Sequence, residues 1–256
     1  MNLTIFDAAL FGAVEGLTEF LPVSSTGHLI MLSKLLGISQ TDSQKAFEVI
    51  IQLGAILAVF GVYYKKIIGN KDLMFKLAVA FLPTGILGFI LYKHIKDLFV
   101  PTTTAYMLII GGIVFILLEK FYKPKEHHIT EVEQMSIKQA LLIGLAQSCA
   151  MVPGTSRSGS TIIGGLLSGL NRKFAVEFSF LLALPTMLVA TAYDVFKHHD
   201  EMVVDDVSAI IVGFGVAFVV ALFAVKTFLK LISKVSFVPF GIYRIIVGVL
   251  FLYYLA

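Results

Sequence analysis

Charge is what this chain is short of. Only 14% of its 256 residues are Asp, Glu, Lys or Arg, where a soluble domain carries about 25%, and the mean hydropathy is +0.89. So few charges cannot cover a water-facing surface. That excludes an ordinary soluble enzyme, a disordered chain and a nucleic-acid binder, and a net charge of +3 is too small for a basic nucleic-acid patch. Tryptophan is absent and there is one cysteine, Cys149, so neither an intrachain disulfide nor a thiolate metal cluster is available. The apolar run around Cys149 predicts a small buried residue. The stretch MNLTIFDAALFGAVEGLTEF has no basic leader and holds Asp7, Glu15 and Glu19, so it does not read as a cleavable signal peptide. What remains is an all-α polytopic membrane protein, expected to form one integral membrane domain over 1–256.

A helix needs about 20 mostly apolar residues to cross a bilayer. Six segments qualify, near 46–64, 73–92, 102–119, 174–196, 207–225 and 237–255. Two other apolar stretches, 3–21 continuing to about 38 and 137–152 continuing to about 170, are interrupted by PVSSTGH and PGTSRSG. Both read as re-entrant helical hairpins. With six spans and two hairpins, twelve Lys and Arg fall in the loops 65–72, 120–138, 171–173 and 226–236. Lys45, Lys93, Lys96 and Lys197 fall on the opposite side. The positive-inside rule then makes the first side cytoplasmic and both termini external. Tyr63, Tyr64, Tyr92, Tyr122, Tyr253 and Tyr254 stand near span ends, where interfacial aromatics belong.

The two interrupted stretches resemble each other. A shift of 131 lays Pro22-Val-Ser-Ser on Pro153-Gly-Thr-Ser, and each hairpin precedes a span with an early glutamate, Glu48 or Glu177. Entering from opposite faces, they predict an inverted-topology repeat of about 1–119 and 137–256, with a site near the midplane where the broken helices meet.

Charge at bilayer depth costs at least about 2.5–3.5 kcal/mol, so each such residue is a functional candidate. The first hairpin holds Glu15, Glu19 and His28, and the second holds Arg157. Around them stand Ser24, Ser25, Thr26, Gly27, Thr155, Ser156 and Ser158. Glu15 and Glu19, spaced i and i+4, project from one helix face. Two bare carboxylates there need a shared proton, a divalent cation such as Mg²⁺ or Ca²⁺, or Arg157. Serine becomes a nucleophile when a base takes its proton, and His28 or a glutamate is placed to be that base for Ser25. The second half-helix of the hairpin is expected to start near His28. An arginine among hydroxyls suits a phosphate, which it grips with two N–H groups while serines add further donors. His127, His128, His198 and His199 read as loop residues. Glu48 and Glu177 are expected to line the same cavity or to orient Arg157 and the turns. Asp194 and Arg244 read as snorkelling or ion-paired residues near span ends.

EGLTEFLPVSSTGH at 15–28 and PGTSRSG at 153–159 closely resemble the two signature stretches of the undecaprenyl pyrophosphate phosphatase, or bacitracin-resistance, family. The resemblance runs on through FEVIIQLGAILAV at 47–59 and across essentially the whole chain. It implies a lipid partner, the polyprenyl pyrophosphate carrier, which is cleaved to its monophosphate and recycled for peptidoglycan synthesis at the bacterial inner membrane. It also implies a pocket open to the extracytoplasmic side, and bacitracin resistance. The family's functional positions fall on Glu15, Glu19, Ser25, Thr26, His28 and Arg157, with Ser156 and Ser158 beside the arginine. No organic cofactor and no nucleic-acid partner are expected, and glycine-rich span faces permit a homodimer. Inverted repeats and broken helices are transporter architecture, and composition alone favours a secondary transporter or lipid flippase. The Ser/His turn beside paired glutamates favours the enzyme over that alternative and over a purely structural bundle.

Overall fold

The computed structural model describes residues 3–122, 128–198, 207–232 and 234–255. His127, His199 and the acidic stretch 199–206 lie outside the described residues, as do the side chains of Asp194 and His198. Among the described residues there are ten α-helices and no β-strand. They are α1 Ile5–Thr18, α2 Ser25–Leu35, α3 Asp42–Gly69, α4 Lys71–Asp97, α5 Pro101–Phe121, α6 Ile137–Ser148, α7 Arg157–Leu167, α8 Arg172–His198, α9 Val207–Leu231 and α10 Val238–Leu255. An isolated bridge pairs Ile129 with Leu170.

Five of these helices, α3, α4, α5, α8 and α9, are long and apolar enough to cross a membrane; α10 is apolar but shorter. Their outer faces fit lipid rather than water: Phe89 is 73% exposed, Phe223 67% and Tyr253 77%. The long helices outrun the apolar windows read from sequence. α3 continues through Lys65 and Lys66 to Gly69, and α9 through Lys226 and Lys230 to Leu231. Backbone hydrogen bonding does not stop where hydrophobicity does, and lysine is a good helix former.

Four short helices, α1, α2, α6 and α7, have 14, 11, 12 and 11 residues. Thr4 and Asp7 build a capping box at the start of α1, and Ser136 and Gln139 build one at the start of α6, each satisfying end N–H groups that would otherwise be stranded. The features of the two pairs coincide at a numbering offset of 132. Ser24 and Ser156, the N-caps of α2 and α7, both have left-handed backbone, φ 71° and 76°, an uncommon state for a residue with a Cβ. The prolines register at 131 because the second turn carries one residue more between proline and N-cap. Starting at Ser25, α2 begins three residues before His28, since Ser24 already closes the turn.

Small residues set the helix crossings. α1 packs against α9 and α6 against α4, while α3 also packs on α9 and α5 on α10. A Cβ on Gly12 would strike the backbone oxygen of Gly213 in α9, and one on Gly144 that of Ala80 in α4. Such backbone contact is how helices associate where no hydrophobic drive separates protein from solvent. Phe20 fixes the end of α1, its ring edge-on to Phe180 of α8 at 5.2 Å. Cys149 is exposed, against the expectation that it is buried. It lies in the 3-10 turn Cys149–Met151 after α6, and in a chain with an apolar exterior an apolar neighbourhood does not mean the inside.

Candidate active site

Two interruptions of helix, residues 19–24 and 149–156, carry the polar groups. Glu19 is the C-cap of α1, its N–H donating to the Glu15 carbonyl at 2.9 Å. The chain then reverses so that Ser25, the first residue of α2, faces it. Ser25 Oγ donates to Glu19 Oε2 at 2.5 Å. The other oxygen, Oε1, accepts from Arg157 Nη2 at 2.9 Å. Arg157 is the first residue of α7, so one carboxylate joins the two interruptions. All three groups are largely withdrawn from solvent, the Arg157 and Glu19 side chains being 11% and 5% exposed. In such surroundings charge-assisted hydrogen bonds are strong.

Arg157 is held from several sides. Nη1 donates to the Ser179 carbonyl of α8 at 2.9 Å, and the guanidinium lies 5.8 Å from the centre of the Phe20 ring. Ser179 Oγ pairs with Thr161 Oγ1 at 2.6 Å. Ser158 Oγ donates to the Leu21 carbonyl at 2.9 Å, tying α7 to the first interruption, while Ser156 Oγ caps the Gly159 N–H at 3.1 Å. Ser24 makes no such side-chain cap, so the first-turn amides of α2 are left for another acceptor. Arg157 Nε, Thr155 Oγ1 and both carboxylate oxygens of Glu15 are buried without a protein partner. Buried polar groups are rarely left so, and Glu15 and Arg157 both neighbour the Glu19 carboxylate, so two of these three residues meet at one place. Glu15 is within electrostatic reach of Glu19, Glu48 and Arg157.

His28 is not part of that contact. Its Nδ1 lies 2.7 Å from the Ser24 carbonyl and its Nε2 2.7 Å from the Tyr243 hydroxyl. A carbonyl only accepts, so Nδ1 carries the proton and a neutral His28 accepts from Tyr243. The two rings are nearly parallel, 5.6 Å between centres. Of the two bases weighed for Ser25, the glutamate is in hydrogen-bond contact and the imidazole is turned toward α10. Thr26 is half-buried, and Gly27 sits against Thr104 and Leu108 of α5.

Two expectations need correction, for Glu177 and Arg244, and a third, for Glu48, holds only in part. Glu177 pairs with Lys66, so it does not orient Arg157 or the turns. Glu48 accepts from Gln40 and Gln44 at 2.9 and 3.1 Å and from Ser33 at 3.4 Å, so it bonds neither Arg157 nor a turn, though its charge still reaches Glu15. Arg244 neither snorkels nor forms an ion pair among the described residues. It is fully buried and donates to the carbonyls of Pro22, Met107, Leu108 and Gly154. Lying seven positions into α10, it is inside the helix rather than at an end, a signal that its charge within an apolar run already carried. Tyr243 and Ser179, whose partners are 215 and 22 positions away, had no such signal.

Fold and site together define a multi-pass helical membrane protein with a buried carboxylate, hydroxyl and guanidinium in mutual contact. A family model described as "Bacitracin resistance protein BacA" matches residues 8–250. A Wolinella succinogenes protein named undecaprenyl-diphosphatase is 60% identical over 253 residues, covering 99% of both chains. Proteins of the same name from a Sulfurihydrogenibium species and Persephonella marina are each 57% identical over 97% of this chain and 98% of their own. The chain belongs to the BacA bacitracin-resistance family.

Proposed function

We infer that the protein hydrolyses undecaprenyl pyrophosphate to undecaprenyl phosphate and inorganic phosphate. The observation that carries the chemistry is the Ser25–Glu19–Arg157 contact, with a hydroxyl and a guanidinium on the two oxygens of one carboxylate. Glu19 Oε2 takes the Ser25 proton as Oγ attacks the terminal phosphorus. The new bond is Oγ–P. The bond that breaks joins that phosphorus to the bridging oxygen, which leaves with the electron pair as prenyl monophosphate. Glu19 gives that proton to the departing monophosphate oxygen. Water then attacks the phosphoserine phosphorus as Glu19 takes its proton, the Oγ–P bond breaks with its electron pair on Oγ, and Glu19 returns the proton to Oγ as inorganic phosphate leaves. Arg157 Nε is a buried donor without an acceptor, suited to an equatorial phosphoryl oxygen. The uncapped first-turn amides of α2 add donors for the same charge. In phosphoryl transfer such positioning and electrostatics carry most of the rate. Ser24, Thr26, Gly27, Thr155, Ser156 and Ser158 frame the phosphates, and His28 shapes the pocket from the α10 side.

A divalent cation fits the donor set. Glu15 has two buried oxygens that accept from no N–H or hydroxyl of the protein, beside the Glu19 carboxyl, and Mg²⁺ characteristically takes one or two carboxylates together with substrate phosphates. Glu15 and Glu19 would hold it, and it would supply charge neutralisation for the leaving phosphate.

The architecture is six spans and two re-entrant hairpins related as an inverted-topology repeat, in the bacterial inner membrane, with the pocket and termini extracytoplasmic. Two arguments support this. Helices of 11–14 residues reach only about 16–21 Å at 1.5 Å per residue, against roughly 30 Å of hydrocarbon. The packing also exchanges between halves, α1 on α9 and α6 on α4. The test is incubation of purified protein with a prenyl pyrophosphate, with and without chelator. Phosphate release lost in Ser25→Ala and Glu19→Gln is the expected result. Transfer of substrate between leaflets without phosphate release would overturn it.

A further inference from the structure

Arg244 is the largest fully buried side chain among the described residues, and it makes no ion pair there. Burying a cation without a counter-charge is costly unless its donors are used. Here the guanidinium spends them on backbone carbonyls of three separate segments. Nη1 donates to Pro22 O at 3.1 Å, in the first interruption. Nη2 donates to Gly154 O at 2.9 Å in the second and to Met107 O at 3.0 Å in α5. Nε reaches Leu108 O at 3.3 Å, and the guanidinium lies 5.8 Å from the centre of the Phe115 ring. Gly111 makes room, since a Cβ there would overlap the guanidinium itself. Gly154 is left-handed at φ 91° and lies on the Thr104 carbonyl, so the second turn rests on α5 as well.

We propose that Arg244 is a positioning residue for the phosphatase reaction, a clasp that holds the two interruptions of helix at the separation the Ser25–Glu19–Arg157 contact requires. The inference rests on the reading of that contact as the catalytic centre. Two residues past Pro22 lies Ser24, the N-cap presenting Ser25; two residues past Gly154 lies Ser156, the N-cap presenting Arg157. One planar group therefore sets both caps relative to α5 and α10. Only arginine has donors enough, and spread widely enough, to reach all three segments; a lysine ammonium has three donors at one point.

Arg244→Met, Arg244→Lys and Gly111→Ala test this in purified protein of unchanged monodispersity, by prenyl pyrophosphate hydrolysis and hydrogen exchange. Gly111→Ala keeps the arginine and displaces it, so it serves where Arg244→Met does not fold. A fall in kcat of at least about 30-fold for Arg244→Met and about tenfold for Gly111→Ala, with KM within about threefold, is the expected pattern for misplaced catalytic groups. Arg244→Lys should recover part of the loss. Amide exchange should accelerate at 19–26 and 152–160 together while α9 keeps its protection. Folded Arg244→Met or Gly111→Ala with kcat within twofold of the parent, or exchange rising uniformly through all helices, overturns the clasp. Absence of hydrolysis by the unmodified protein would instead remove the phosphatase reading, and the exchange measurement would still decide whether Arg244 ties the two turns.

Discussion

The first broken helix, α1, and its counterpart α6 are built on one frame and finished differently. At the offset of 132 four of the six buried positions of α1 return in α6: Ala8 and Ala140, Phe11 and Ile143, Gly12 and Gly144, Glu15 and Gln147. Both polar atoms of Gln147 have a partner. Its Nε2 donates to Thr84 Oγ1 at 3.0 Å, and its Oε1 accepts from Thr186 Oγ1 at 3.2 Å. Neither oxygen of Glu15 accepts from an N–H or hydroxyl of the protein, and the group beside it is another carboxyl, that of Glu19. One turn further on, Glu19 faces Met151 across the repeat. The same helix, packed through the same glycine, thus ends once in a satisfied neutral cluster and once in an unsatisfied anionic one. The second state is costly to fold, so its presence in one half alone marks where a ligand completes the structure.

The largest expected effects fall on the anionic half and on the one cation that reaches it. Glu19→Gln should lower kcat by about 10²–10⁴, the range for loss of a general base. Arg157→Ala should lower it by about 10²–10³, the range for a preorganised electrostatic donor. Near-normal phosphate release from folded Arg157→Ala would remove the proposed mechanism. Ser25→Ala separates nucleophile from bystander: rapid-quench labelling with terminal-phosphate-labelled substrate should show phosphoprotein in the parent and none in the variant. Label persisting in Ser25→Ala would assign the nucleophile elsewhere, and no label in either would favour direct attack by water.

A smaller effect tests what occupies the gap beside Glu15. If Glu15 shares a divalent ion with Glu19, Glu15→Gln should raise the Mg²⁺ or Ca²⁺ concentration for half-maximal turnover by about 10–100-fold, as loss of a supporting ligand does. A proton shared between the carboxyls predicts a lower kcat with the metal requirement unchanged. Titrating phosphate release against the ion separates the two.

The difference between the halves also marks where sequence reading reaches its limit. The interruptions at PVSSTGH and PGTSRSG were legible because charge and hydroxyls inside apolar runs violate the solvent's rule, and the all-helical class was legible from the lengths of the runs. That Arg157 meets Glu19 rather than Glu15, that Glu19 rather than His28 touches Ser25, and that His28 turns to Tyr243 are results of helix packing. Those contacts join residues 138, 6 and 215 positions apart, at crossings set by glycines that look alike wherever they occur. Arg244 was visible as a charge but misread, because position along an apolar run does not tell whether a guanidinium faces lipid headgroups or backbone carbonyls. The one-residue difference between the 131 and 132 registers was hidden for a related reason: an extra residue in a turn leaves the matching of short motifs almost unchanged.

The smallest effect is expected in the satisfied half, at Gln147→Leu. The substitution removes two hydrogen bonds, yet Thr84 Oγ1 still donates to the Gly144 carbonyl at 3.0 Å and Thr186 Oγ1 to the Leu182 carbonyl at 2.7 Å. No buried hydroxyl is therefore stranded, so the cost is that of two hydrogen bonds and not of an unsatisfied group. Thermal unfolding in detergent should report a loss of about 1–3 kcal/mol, and kcat should stay within twofold, because Gln147 touches neither turn residue nor carboxylate of the site. A large loss of turnover with stability intact would show that the second half contributes directly to the chemistry, and the division between a structural and a catalytic half would fail.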